Sequence, residues 1–343
     1  MSLELNALEA VYDDPAIQNR IKEYLGVSSH GDPPTAAFLA RCDGRLPTDI
    51  EKIPIDSISS ALRGATDLAR SLIDLESHIV HLDIEHVNFD DPAQPYLNPW
   101  HAFRLQEPVV EIIEEELARF GIRPLHLLTG QGHHFVWRIA KDAELSSRMA
   151  SQCGGSAAGG SGTASKDEAD GVFQALGLVM EFLGHRIKQQ SAHRCQVPVE
   201  LTASHVGPGS SGQREMISID ISEYGDPLPT RVIRVPFTHY RKPWQTGMVS
   251  RLKLEDQIPF FVTLPLHEID VFQAIKIRQD VNDVISLAKR SVVRIPVQEA
   301  GMSRLFEAYL DSDLRRFHEF FSRSCHDAAD VWHQAYGDLD IES

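Results

Sequence analysis

Cysteine is scarce in this chain. There are four in 343 residues, Cys42, Cys153, Cys195 and Cys325, far apart and without a CxxC. A compact zinc knuckle is therefore not expected, and a reducing, cytoplasmic home fits. No stretch approaches the roughly 18 uninterrupted apolar residues of a membrane span, and the mean hydropathy is −0.22, so no membrane partner is expected. The opening MSLELNALEA has no basic segment leading into an apolar run, so no secretory signal is expected. Positive charge is also short: 33 Lys and Arg stand against 49 Asp and Glu, a net charge of −16. That field repels a polyanion and argues against a general nucleic-acid coat protein.

The imbalance is uneven. Residues 1–90 hold sixteen acids and seven bases, and the segment after Cys325 holds five acids and no Lys or Arg. Between Pro227 and Leu254 there are six bases and no acid. A locally basic surface on an acidic protein follows from this distribution.

The stretch IVHLDIEHVNFD, Ile79 to Asp90, is the most informative. Val80, Leu82 and Ile84 alternate with His81, Asp83 and Glu85, the period of a strand with one buried face. Two carboxylates at i and i+2 repel each other unless a cation lies between them, and a hard divalent ion such as Mg²⁺ or Mn²⁺ serves. The plainer alternative is an edge strand whose acids face water. A second strand, REMISIDISEYG, carries Asp220 on its polar face. If the two strands are neighbours, Asp83, Glu85 and Asp220 converge on one point, as metal-dependent phosphoryl or nucleotidyl transfer requires.

Around these strands the chain predicts a capped helix after Asp14-Pro15 and an irregular Gly/Pro/Asp-rich segment to about Pro54. Helical spacing (Ile58, Leu62, Leu68, Leu72) covers Ser57 to about Leu75. A Pro-interrupted loop holds Tyr96 and Trp100, and an amphipathic helix runs from Pro108 to Phe120. Two short strands then flank the glycine turn Thr129-Gly130-Gln131-Gly132. Residues 151–165 are Gly/Ser-rich and have little to bury. A helix is expected over Lys166–Gln189, and mainly helix after Lys253. Strand, helix, strand, turn, strand predicts an α+β fold with a mostly antiparallel sheet.

His133 and His134 follow the glycine turn, and alternation turns one inward and one outward without saying which. The amides of Gln131 and Gly132 could line a phosphate pocket, and Arg231, Arg234, Arg241 and Lys242 could neutralise phosphate. Each has a plain alternative as a core or solvated residue.

LDIEHVNFD, TGQGHHFVW and ISIDISEYG followed by RVIRVPFTHYRK resemble, in order, the three motifs of the archaeo-eukaryotic primase superfamily and its primase-polymerase members. The resemblance covers about residues 75–245. It implies an RRM-like catalytic sheet beside a second small α/β unit, and template-directed transfer of NTPs or dNTPs with Mg²⁺ or Mn²⁺. Asp83, Glu85 and Asp220 would be the metal ligands. His134, with Gly130, Gly132, Arg231, Arg234 and Lys242, would hold the triphosphate, and single-stranded DNA or a primer-template would be the partner. A replication or repair protein is a further partner to expect. A zinc set of Cys195 with His185, His193 and His205 is the less favoured metal site.

The chain divides as an N-terminal arm or small subdomain (1–55), a catalytic region (56–248) and a mainly helical C-terminal region (249–343). Two rivals remain open: a metal-dependent phosphohydrolase or nuclease using the same acids, and a degenerate primase fold kept for binding. The degenerate fold predicts acids paired to protein bases, or Arg234 or Lys242 turned away from them. A two-histidine endonuclease fits poorly, because adjacent histidines on a strand face opposite ways.

Overall fold

The computed structural model describes residues 11–27, 33–41, 51–54, 61–62, 67–153, 164–203 and 206–320. The alternating stretch forms β4 (Ser77–Asn88), a twelve-residue strand at the interior of a six-stranded sheet. Its neighbours are β6 (Gly132–Ala140) on one side and β8 (Glu215–Asp220) on the other, both antiparallel. Beyond β6 come β5 (Leu125–Leu128) and the two-residue β10 (Leu264–Pro265); beyond β8 comes β7 (Val199–Thr202), the one parallel pairing. The glycine turn connects β5 to β6 as the spacing predicts.

Val80, Leu82 and Ile84 point to one face of β4 and are fully buried. Two helices cover that face and touch each other: α2 (Pro99–Arg119) and α4 (Ala164–Ser191). Phe103, Val109, Ile112 and Ile113 of α2 meet Leu176, Val179, Met180 and Leu183 of α4 in the same core. Each such side chain contributes about 1.5–3 kcal/mol on burial, which fixes which face of β4 is inside. The opposite face carries His81, Asp83 and Glu85.

Two expectations need correction. Helix α2 begins at Pro99, where Asn98 accepts a hydrogen bond from the His101 amide at 3.4 Å, and it runs through Pro108. The segment expected to be a Pro-interrupted loop therefore holds a helical turn, Gln94–Leu97, and the first half of α2. Pro108 forgoes one helical hydrogen bond but does not end the helix, because the apolar face on both sides of it is buried. Of the helix expected over Ser57–Leu75, Ala61 is helical and Leu62 lies in a turn, but Leu68–Ser71 is strand β3. Every residue of β3 is buried, so it lacks the alternation that marks a half-exposed strand.

Strand β3 lies in a second sheet of order β2-β1-β3-β9, with β1 at Leu39–Arg41, β2 at Glu51–Ile53 and β9 at Val232–Arg234. All of its pairings are antiparallel. Helix α1 (Pro15–Tyr24) starts as expected, with the Asp14 carboxylate accepting from the Ala16 amide at 2.7 Å, and it buries Ile17, Ile21 and Tyr24. This sheet and α1 are the small additional unit. Beneath them Arg70 and Asp74 form a buried ion pair at 2.7 Å.

The C-terminal region is mainly helical: α5 (Val271–Ile277), α6 (Val281–Arg290) and α7 (Glu299–Leu310). Asp270 and Gln273 close a capping box on α5. Residues 154–163 of the Gly/Ser-rich stretch lie outside the described residues. Helix α3 (Glu144–Cys153) precedes them. Among the described residues no helix is long and apolar enough to cross a membrane.

Candidate functional site

Asp83 occupies the middle of β4, and its cross-strand partners are His134 on β6 and Asp220 on β8. Directly opposed residues in an antiparallel sheet have Cβ atoms about 4.5–5.5 Å apart. The register alone therefore assembles three of the predicted site residues on the face away from the helices. The fourth, Glu85, lies two residues on, opposite Gly132 and Ser218.

The same register separates the two histidines. His133 is opposite Ile84 on the helix-covered face, where its ring meets Phe103 edge-on and its Nδ1 lies 2.9 Å from His126 Nε2. His134 turns to the acids, with Nε2 3.4 Å from Asp83 Oδ2. Gly132 is required by close approach: a Cβ there would lie 1.8 Å from the Ile84 carbonyl oxygen. At Gly130 a Cβ would strike the Tyr240 ring.

Burial dominates the electrostatics. It pushes the Asp83 carboxyl above the ordinary range, although His81, Lys242 and Arg234 pull it down. Asp220 is also raised, first by burial and then by the charge of Asp83, while the Ser222 amide donates to its Oδ1 at 2.8 Å. His134 is driven well below the usual imidazole range, mainly by burial, so its ring is neutral and keeps a free lone pair.

His81 joins this group and was not among the residues singled out. Its Nδ1 donates to both oxygens of Glu223 at 3.0 and 2.9 Å. Its ring meets His134 edge-on with centroids 4.5 Å apart. The β4–β8 ladder ends at Asp83, and the Tyr224 hydroxyl takes over: it accepts from the His81 amide at 3.0 Å and donates to its carbonyl at 2.8 Å. One ligand atom each from His81, Asp83 and His134 lies within 4.8 Å of the others, a cluster consistent with a metal-binding site. His81 Nε2, Asp83 Oδ1 and His134 Nδ1 are buried and have no hydrogen-bond partner. Three orphaned acceptor-capable atoms on adjacent side chains suit a cation. The period-2 pattern could have found His81, which shares a face with Asp83. Glu223 carries no such signal, since its place depends on the turn after β8.

The remaining predicted residues have protein partners. Lys242 Nζ donates to Glu85 Oε1 and Oε2 at 2.7 and 2.9 Å, and Gln131 Nε2 donates to Oε2 at 2.5 Å. The Tyr96 hydroxyl in turn donates to Gln131 Oε1 at 2.5 Å. Burial opposes the charge on Lys242, but Glu85, with Tyr96 and Asp83, outweighs it and holds the ammonium above the usual lysine range. Arg234 pairs with Asp67 and lies over the Tyr240 ring at 4.2 Å. Arg231 pairs with Asp226 and donates to the Ser222 carbonyl at 3.4 Å. Both arginines thus flank the acid cluster on neighbouring elements. Among the described residues, Cys195, His185 and His193 form no metal-ligating group, and His205 lies outside the described residues.

A cavity of about 160 Å³ bordered by Arg70, Asp74, Arg138 and Arg294 lies apart from this cluster, and neither Asp83, Glu85, His134 nor Asp220 lines it. Comparison with protein-family models, with curated proteins and with solved structures finds no match to this chain.

Proposed function

We propose that this chain is a template-directed nucleotidyltransferase of the primase-polymerase type. The observation that carries the reading is the register around Asp83, which sets an acid from the third motif on one side and the histidine of the second on the other. In the reaction a 3′-oxygen bonds to the α-phosphorus of an NTP or dNTP. The bond from that phosphorus to the α–β bridging oxygen breaks, pyrophosphate leaves, and the hydroxyl proton passes to solvent. A divalent cation held by Asp83, with Asp220 and Glu85, would neutralise phosphate charge and lower the pKa of the attacking hydroxyl. His134 and Arg234 orient the triphosphate, Arg231 adds positive charge beside it, and Lys242 exchanges Glu85 for a phosphate oxygen when nucleotide enters. Partial burial of the carboxylates makes each of these charges count for more than it would in water.

The test is nucleotide incorporation on primed and unprimed single-stranded DNA, with Mg²⁺ or Mn²⁺, comparing wild type with Asp83→Ala. Metal-dependent product that disappears in the variant supports the reading, and the unprimed reaction decides whether the chain primes. The Lys242–Glu85 pair favours one second reading, a primase-like fold that binds nucleotide or nucleic acid without chemistry, because one acid is already neutralised by protein. That reading expects nucleotide binding without incorporation under any metal.

A further inference from the structure

We infer that, in the nucleotide-free protein, His81, Asp83 and His134 form a nitrogen-rich metal site that takes Mn²⁺, Co²⁺ or Zn²⁺ in preference to Mg²⁺, with Glu223 orienting His81. The inference rests on the metal-dependent reading of this site and adds a ligand and a metal preference to it.

Three observations carry it. First, the three side chains offer ligand atoms within 4.8 Å of one another, two of them imidazole nitrogens. Second, one nitrogen or oxygen on each is buried without a partner, namely His81 Nε2, Asp83 Oδ1 and His134 Nδ1. Buried polar atoms are almost always partnered, so an orphan on each of three clustered side chains calls for something that accepts lone pairs. Third, the Glu223 carboxylate grips His81 Nδ1 at 2.9 Å. A carboxylate can only accept there, so Nδ1 carries the hydrogen, and in the neutral ring that binds a metal Nε2 is the nitrogen left with a lone pair. This carboxylate–histidine arrangement fixes a metal-ligating tautomer and makes the ring a better ligand.

Metal preference follows from the donors. Mg²⁺ selects oxygen ligands and parts reluctantly with its waters, whereas imidazole suits later first-row ions. Glu85, which would make the site richer in oxygen, is occupied by Lys242 and Gln131.

The experiment uses the full chain, stripped of metal and without nucleotide or DNA, titrated with Mn²⁺ and followed by continuous-wave and pulsed electron paramagnetic resonance. One bound Mn²⁺ with ¹⁴N coupling is expected, not displaced by a tenfold excess of Mg²⁺. His81→Gln and His134→Gln should each weaken binding at least tenfold. Glu223→Gln should weaken it by about 10–100-fold with the ¹⁴N coupling kept. Bound Mn²⁺ without ¹⁴N coupling, displacement by equimolar Mg²⁺, or no binding of Mn²⁺, Co²⁺ or Zn²⁺ by folded protein each overturns the inference. Should a variant not fold, the wild-type ¹⁴N spectrum decides alone. Metal-dependent incorporation by a wild type whose bound Mn²⁺ shows no ¹⁴N coupling would overturn the inference while leaving nucleotidyl transfer standing, whereas an ¹⁴N-coupled metal without incorporation would do the reverse.

Discussion

Lys242 donates to both carboxylate oxygens of Glu85 and so neutralises the acid nearest the glycine turn. Lys242→Met would leave Glu85 half-buried with Gln131 as its remaining partner among the described residues. Because the pair is partly solvated, the expected loss is about 1–2 kcal/mol, below the 3–5 of a fully buried pair. Urea unfolding measures it. If Lys242 also serves the triphosphate, the variant binds NTP more weakly in an equilibrium titration as well. Equal NTP affinity with lower stability would confine Lys242 to a structural role.

Gly132→Ala tests the close approach at the start of β6. The added Cβ would meet a backbone oxygen of β4 at 1.8 Å, and neither strand can yield without breaking ladder hydrogen bonds. A destabilisation of about 3 kcal/mol or more is expected, at the upper end of overpacking costs. Thermal unfolding reads it directly. A melting temperature within a degree of wild type would mean that β6 does not pair with β4 in this register.

These elements differ in how far the sequence reveals them. β4 and β8 are legible because one face of each is apolar and the other polar, and a one-residue slip would exchange the faces. The choice between His133 and His134 is not legible locally. It is settled by the pairing of Phe135 with Leu82, which places His133 inside. β3 is not legible because a strand buried at every position has no period of two, and Leu68 and Leu72 match helical spacing by accident. The amphipathic pattern places a helix over Pro108–Phe120, yet α2 already begins at Pro99 and runs through Pro108. Glu223 and Asp67 became visible only with packing, since their partners are more than a hundred residues away.

The Arg70–Asp74 pair should govern acid stability of the small unit. Burial pushes the Asp74 carboxyl up, but Arg70 and the hydrogen bonds from Thr35 and Ser77 outweigh it, so it lies below its ordinary value. The folded protein then binds the proton less readily than the unfolded chain. This stabilisation is complete above the unfolded value near 4 and is lost as pH falls below it through the lower folded value. Asp74→Asn strands the Arg70 guanidinium in a site where it is 1% exposed. The expected cost is about 3–5 kcal/mol at pH 7, with a smaller gap between variant and wild type below pH 4. Denaturant unfolding as a function of pH checks both; a gap independent of pH would show that Asp74 does not act as a carboxylate.

Asp83 should cost the metal-free protein stability while serving its function. Its carboxyl is raised by burial despite the opposing pull of His81, Lys242 and Arg234, so the charged form is held unfavourably, with Asp220 directly across the strand pair. Asp83→Asn replaces that charge with a neutral amide of the same size. In the presence of a chelator the variant should therefore be more stable than wild type, by about 1 kcal/mol, as expected where activity requires a strained site. Added Mn²⁺ should reverse the order: a ligand at a hundredfold its dissociation constant stabilises the folded state by about 2.7 kcal/mol, and the variant has lost a ligand. Differential scanning calorimetry with chelator and with Mn²⁺ reads the crossing. Wild type more stable than Asp83→Asn in both conditions would mean that this carboxylate is held by protein partners and is not waiting for a cation.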